Sequence, residues 1–357
     1  MTNIASLRLS SQQLAGTKIL NAAEMVSWFG AIQGQEYAQT KWGLGLRLPN
    51  LDDSDIEKKL ADGTILRTHL LRPTWHFVHS HDISWILDLT AASVHASNAY
   101  MYKKLELDHK LFGKCNHIIE RILNKQIEMT RDEINKELKK NKIQAEGHRL
   151  SYIMMYAELE GIICSGAKRG SQFTYALLSK RISGRNPNSK DAALAELSKR
   201  YYQSRGPATV KDFSTWSGLN ISICRKGTEM IASMLEKMVG EGVDYYFAPE
   251  THLPKSESSQ IYLLPIYDEF IMGYKDRSAI FEFRNSLKKN PSINYDSMII
   301  LEGQIIGSWR RQIGKKGIEL QYDLFRPMNP KLTSLLNEAT RRFGDFHGLS
   351  CQVKRTE

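Results

Sequence analysis

The chain has 357 residues, 41% of them hydrophobic and 25% charged, enough to bury sizeable cores in two or three structural units. A formal net charge of +10 points toward a polyanionic partner, with a merely basic cytosolic protein as the alternative on charge alone. Four widely separated cysteines without a Cys-x-x-Cys pair argue against a disulfide framework or a zinc site and suit a reducing compartment.

No apolar run approaches the ~20 residues of a membrane span. The start Met1-Thr2-Asn3-Ile4 lacks the basic-then-apolar pattern of a signal peptide, so a cytoplasmic protein is expected.

In chain order, the first helix begins at Ala22. It places Met25, Trp28, Phe29 and Ile32 on one face at the 3.6-residue period. Gln33-Gly34-Gln35-Glu36 follows. Residues two apart lie on nearly opposite sides of a helix but share one side of extended backbone. The two glutamines therefore project together only if the helix breaks, and Gly34 is the expected terminator. The alternative is a polar helix end in water.

A capped helix is expected from Asp52 to Leu60. Segments 65–68 and 74–78 then form a two-stranded wing turning at Arg72-Pro73. Long helices follow from Trp85 to Leu105 and Asn116 to Glu128, with a further helix opened by Thr130. His148 to Glu160 reads as a recognition helix carrying Arg149, Tyr152 and Met155. Its wing comprises 162–164 and 173–176, bent at Ser165 to Gly170 with Lys168 and Arg169 at the tip.

Ser183 to Ser189 has the composition of a linker. After a helix from Asp191 to Gln203, Thr209 opens a third unit. Its second helix is expected from Arg225 or Lys226 to Met238, with a wing after Gly240-Glu241-Gly242. From Tyr262 to Phe325 the pattern turns strand-like, and Pro330 to Phe343 forms a terminal helix. Within the strands, Gln312-Ile313-Gly314-Lys315-Lys316-Gly317 is a hairpin whose two glycines frame two lysines. Arg310 and Arg311 alternate faces, so at most one should meet a nucleic acid.

One signature recurs at near-equal intervals: Asp52-x-x-Asp55-Ile56, Thr130-x-x-Glu133-Ile134 and Thr209-x-x-Asp212-Phe213. Each pairs a capping residue with an acid three positions on and an apolar residue behind it, the mark of a helix start. Each leads into a hairpin, as in the winged-helix form of the helix-turn-helix, a module that mostly binds DNA. The fold class expected is α+β: three tandem winged-helix units and a C-terminal small β subdomain. The boundaries are 1–86, 87–182, 183–255 and 256–357.

No P-loop, dinucleotide fingerprint, His-Glu-x-x-His or Gly-x-Ser-x-Gly motif occurs. The crowded His69, His76, His79 and His81 lack a carboxylate or thiol at ligand spacing, so neither a metal nor a cofactor is expected.

Several of these segments resemble one family. Gly30-Ala31-Ile32-Gln33-Gly34-Gln35-Glu36 resembles the Gln-x-Gln region of the AlkZ-type DNA glycosylases, which with the YcaQ proteins form a bacterial superfamily built from tandem winged helices. Leu71-Arg72-Pro73-Thr74-Trp75-His76-Phe77-Val78 looks like its first-wing motif. Gly206 to Phe213 with Trp216 to Leu219 is similar to its third-unit signature. Leu263 to Phe270, Gly273 to Arg277 and Gly303 with Gly307-Ser308-Trp309-Arg310 resemble its C-terminal β region.

The resemblance implies a monofunctional glycosylase without lyase activity that hydrolyses the bond between deoxyribose and an N7-alkylated purine, interstrand crosslinks included in some members. Gln33 and Gln35 would be catalytic, and Gly34 departs from the usual apolar residue between them. Glu36 is either an assisting base or a surface acid. The expected DNA contacts are Arg47, Arg72, His76, Arg149, Lys168, Arg169, Arg310, Lys315 and Lys316. The partner would be double-stranded DNA with alkylated or crosslinked purines, gripped by a monomer. A winged-helix regulator without chemistry is the other function that fits, and it has no need of paired amides at a helix break.

Overall fold

A computed structural model describes residues 4–16, 19–184, 189–240, 242–252, 259–281 and 297–354. Most of the linker expected at Ser183 to Ser189, with Met1 to Asn3 and Glu241, lies outside the described residues. The elements are α1 (Ile4–Ser11), α2 (Ala22–Phe29), β1 (Ile32–Gln33), α3 (Tyr37–Arg47), α4 (Asp53–Ala61), β2 (Ile65–Leu70), β3 (Arg72–His79), α5 (Ile83–Lys104), α6 (His109–Lys125), β4 (Met129–Thr130), α7 (Arg131–Lys140) and α8 (Gly147–Leu159). They continue as β5 (Ile163–Ser165), β6 (Thr174–Leu177), α9 (Leu178–Arg181), α10 (Lys190–Arg205), α11 (Val210–Ser217), α12 (Ile221–Met230), β7 (Glu236–Gly240), β8 (Val243–Phe247), β9 (Ile261–Leu263), α13 (Glu269–Met272), β10 (Ser297–Leu301), β11 (Gln304–Ile313), β12 (Ile318–Leu324), α14 (Pro330–His347) and β13 (Cys351–Val353). The fold is mixed α+β.

All three helix-start signatures form reciprocal caps. Asp52, Thr130 and Thr209 each accept from the backbone N–H three residues on, whose acidic side chain returns the bond. Each box satisfies backbone donors that a helix start otherwise leaves open.

The strands make four sheets, ordered β1-β3-β2, β4-β6-β5, β7-β8 and β13-β12-β11-β10-β9. The first hairpin turns one residue earlier than expected, at Leu71, whose φ is +61°. In the third unit the sequence reading overran: the helix stops at Met230, and 236–240 is already a strand. Gly240 therefore ends the first strand of that hairpin and Gly242 lies in its turn, rather than both preceding it.

Burial does not follow the expected boundaries. One core joins α2, α3 and α4 to β9–β12 and α14. There the Trp42 indole donates to the Leu263 carbonyl (2.7 Å), and Phe343 packs edge-on against both Trp42 and Trp309. A second core joins the first hairpin and α5 to α10, α11 and α12. A third holds residues from Leu107 to Leu177. The first segment thus shares its interior with the third and with the C-terminal sheet, while the middle segment also has a core of its own.

The cap at Thr130 offers a clean test. Thr130→Ala should destabilise the protein by about 1 kcal/mol and Thr130→Ser by less, measured by denaturant unfolding.

Candidate active site

Helix α2 ends before the glutamines. Gly30, at φ +72°, stops it, and the Gly30 N–H bonds back to the Ser27 carbonyl. The break thus falls at Gly30, not at Gly34. Beyond it the chain straightens into β1, with Ile32 opposite Phe77 and Gln33 opposite His76 on β3. Gly34 serves close approach: a Cβ there would stand 3.0 Å from the Phe77 ring and 3.2 Å from the His76 backbone. Its N–H donates to the Trp75 carbonyl (2.6 Å) and its carbonyl accepts from Arg67 Nε (2.9 Å). The glycine between the glutamines therefore tightens this backbone instead of loosening it.

Gln33 is buried and held at several points. Its N–H donates to Glu269 Oε1 (2.8 Å), and its carbonyl accepts from the Thr40 hydroxyl (3.0 Å). Its side-chain Oε1 accepts from Arg72 Nη2 (2.9 Å). A guanidinium offers only donors, so the amide oxygen must face Arg72 and the NH2 group must face away. One lone pair of that oxygen remains for a further donor. A void of about 10 Å³, room for one water, borders Gln33, Thr40, Tyr267 and Glu269. Gln35 is half-buried and held more loosely, its Oε1 accepting from the Trp75 N–H at 3.4 Å.

Behind Gln33 lies a fully buried ion pair. Arg205 Nη2 meets Glu269 Oε2 at 2.6 Å, the Trp216 indole N–H donates to the same oxygen (3.1 Å), and Glu269 Oε1 holds the Gln33 N–H. Arg205 also donates to the carbonyls of Phe29 (2.9 Å) and Ala31 (3.0 Å) on either side of the helix break. Next to Glu269 in sequence, Asp268 receives a two-pronged bond from buried Arg47, both contacts at 2.8 Å.

Several of the expected DNA contacts turn inward instead. Arg47 is 3% exposed and bonds only internal acceptors: Asp268, Gly43 and Gln12. It has no surface to offer a phosphate. His76 is fully buried; Nδ1 lies 2.9 Å from the Thr74 carbonyl and so carries the proton, leaving Nε2 an unpartnered acceptor. Burial and the nearby Arg72 charge hold its pKa well below the usual histidine value. Arg72 is half-buried and spends its fork on Gln33 and the Trp216 carbonyl. Arg149 turns inward to the carbonyls of Leu105 and Gln144.

The rest lie nearer the surface. Lys168 is half-buried, 5.1 Å from the Tyr37 ring and 4.0 Å from Glu57; exposed Arg169 pairs with Glu133 at 2.7 Å. Arg310, Lys315 and Lys316 are exposed. Its neighbour Arg311 is half-buried, and its charge senses Glu36, itself an exposed acid. His69 pairs with buried Glu158, and His79 packs against His81. Among the described residues no three potential metal ligands cluster.

Sequence reasoning missed Arg205, Glu269, Thr40, Trp216 and Arg67. Glu269 stood inside a quoted motif, but its partner's backbone lies 236 positions away, and no local pattern marks such a pair.

Two outcomes follow. Glu269→Gln strands the Arg205 charge in the interior and should cost about 3–5 kcal/mol, read from denaturant unfolding. His76, neutral when folded, takes a proton once unfolded below about pH 6.5. Its contribution to stability is therefore complete above that pH and lost progressively as the pH falls toward the depressed folded value. The fall in Tm between about pH 6.5 and 5 should be shallower in His76→Asn; an unchanged slope would exclude His76 as a source.

Residues 26–346 match the family model described as DNA glycosylase AlkZ-like. The interstrand DNA cross-link repair glycosylase of Streptomyces sahachiroi is 21% identical over 326 residues, 85% of each chain. The structure of Streptomyces sahachiroi DNA glycosylase AlkZ aligns with a TM-score of 0.80 at 18% identity, over 99% of this chain and 98% of that one, a likeness of fold. With nine-tenths of its length inside that model and the whole fold shared, this chain belongs to the AlkZ-like DNA glycosylase family.

Proposed function

We propose that this DNA glycosylase hydrolyses the N-glycosidic bond of N7-alkylated purines, with Gln33 and Gln35 as its catalytic pair. One juxtaposition carries the reading: two amides two residues apart directly after a helix break, Gln33 ending a short strand and locked by Arg72 and Glu269, Gln35 in the bend that follows. A fold needs no such investment in an amide that only faces water.

The chemistry suits amides. N7 alkylation makes the purine cationic and a good leaving group, so the bond to C1′ breaks with oxocarbenium character. The electron pair moves onto the departing base, water adds to C1′, and its proton passes to solvent. No strong base is required. Amide oxygens oriented beforehand can position the water and favour the developing positive charge, the preorganisation that dominates much of catalysis. The rigid Gln33 supplies orientation, while the more loosely held Gln35 can adjust to the lesion. No cofactor or metal enters this scheme, and with water as the nucleophile no lyase step follows.

On this reading the three capped helix-and-hairpin segments are tandem winged-helix units, with segments 1–86, 87–182, 183–255 and 256–357 as units that share cores. Lys168, Arg169, Arg310, Lys315 and Lys316 meet phosphates or a groove of double-stranded DNA. Arg72, His76 and Arg149 act through the protein interior. The enzyme works as a cytoplasmic monomer. Interstrand crosslinks are within its range, as the name of the Streptomyces relative suggests by analogy.

The test is release of 7-methylguanine from methylated duplex DNA. Gln33→Ala and Gln35→Ala should each lower single-turnover release by about 10²-fold with DNA binding retained. Binding by the wild-type chain without any release would return the regulator reading, and a crosslinked duplex assayed alongside would define the substrate range.

A further inference from the structure

Gln33 is fixed from the interior, but the other end of the motif is held from outside by Arg67, a residue of β2. Arg67 Nε donates to the Gly34 carbonyl (2.9 Å), and Nη2 reaches the Gln35 carbonyl (3.4 Å). The same guanidinium lies 4.3 Å from the Trp75 ring centre and 5.0 Å from that of Phe173. Phe173 immediately precedes β6, belongs to the middle segment and is exposed. Arg67's own N–H donates to the Ser165 hydroxyl (2.8 Å), on the other strand of that hairpin. Tyr37 seals the group edge-on to Phe77 and Phe173, with its hydroxyl on Glu57 (2.8 Å).

A guanidinium is the one side chain that bonds two successive carbonyls in a fork while stacking its flat face on aromatic rings. Here the fork ends on the Gln-x-Gln backbone, while the guanidinium lies against Trp75 of its own hairpin and Phe173 of the middle segment's hairpin, which carries two proposed DNA-binding cations, Lys168 and Arg169. From this we infer that Arg67 is a positioning residue: it sets the placement of Gln35 and couples that placement to the seating of the middle segment's hairpin. The inference rests on Gln33 and Gln35 being the catalytic pair. Arg67 touches no reacting atom and acts through the two carbonyls it holds.

The test compares single-turnover 7-methylguanine release, DNA affinity and thermal unfolding for wild type, Arg67→Met, Arg67→Lys and Phe173→Leu. A misplaced reacting group costs rate far more than binding. Arg67→Met should lose roughly tenfold or more in the maximal release rate with the DNA Kd within about twofold of wild type. Arg67→Lys, which keeps a charge and a donor, should recover part of that loss, and Phe173→Leu should slow release by a smaller factor at unchanged Kd. If Arg67→Met fails to fold, Arg67→Lys and Phe173→Leu carry the test.

Release rates like wild type in the Arg67 variants, or losses matched by an equal rise in Kd, would overturn the positioning role. A wild-type chain that binds DNA and releases nothing fails the proposed function instead, so the two failures are distinct.

Discussion

The buried pair of Arg205 and Glu269 is the contact on which the site depends. Arg205 donates to the Phe29 and Ala31 carbonyls, Glu269 takes the Gln33 N–H, and the Trp216 indole closes the group. These bonds occupy backbone groups that a helix end and the start of a strand leave unmatched. They also bring α2, α10, α11 and α13 to one point. A buried ion pair is a poor device for stability alone, because desolvating both charges offsets much of their attraction. Its value here is directional, since only fully bonded charges can hold that peptide so firmly.

The neighbouring Asp268 repeats the device with Arg47. Two consecutive acids at the start of one short helix therefore each neutralise an arginine from a different part of the chain. This explains why the C-terminal sheet is not a separate appendage: its residues share a core with α2, α3 and α4, and Glu269 of the short helix between β9 and β10 anchors the peptide that bears Gln33. The middle segment differs. Its principal core is its own, and one of its links to the site is the lighter set of aromatic and cation contacts around Arg67. The motif is thus anchored rigidly on one side and by a lighter contact on the other.

Several cations that looked suited to phosphate serve the interior instead. Arg47 is buried, Arg149 turns to internal carbonyls, and Arg72 directs its fork at Gln33 and a backbone carbonyl. Internal acceptors engage them because a buried guanidinium left unpaired is far costlier than one exposed to water. The charges left at the surface include the hairpin lysines Lys315 and Lys316.

By itself, the sequence determined the local features. The three helix starts were legible because a capping box needs only two residues three apart. The first hairpin and the strand-rich C-terminal region were legible from alternation and turn residues. The helix break ahead of the two glutamines was legible too, although Gly30 and not Gly34 makes it. The short β1 was not, since two residues carry no period and become a strand only by pairing with His76 and Phe77 of β3. What tertiary structure alone decided was which arginines face inward and which acids receive them. That choice depends on partners as far as 221 residues apart, whose meeting is set by packing of whole elements and leaves no trace in local spacing.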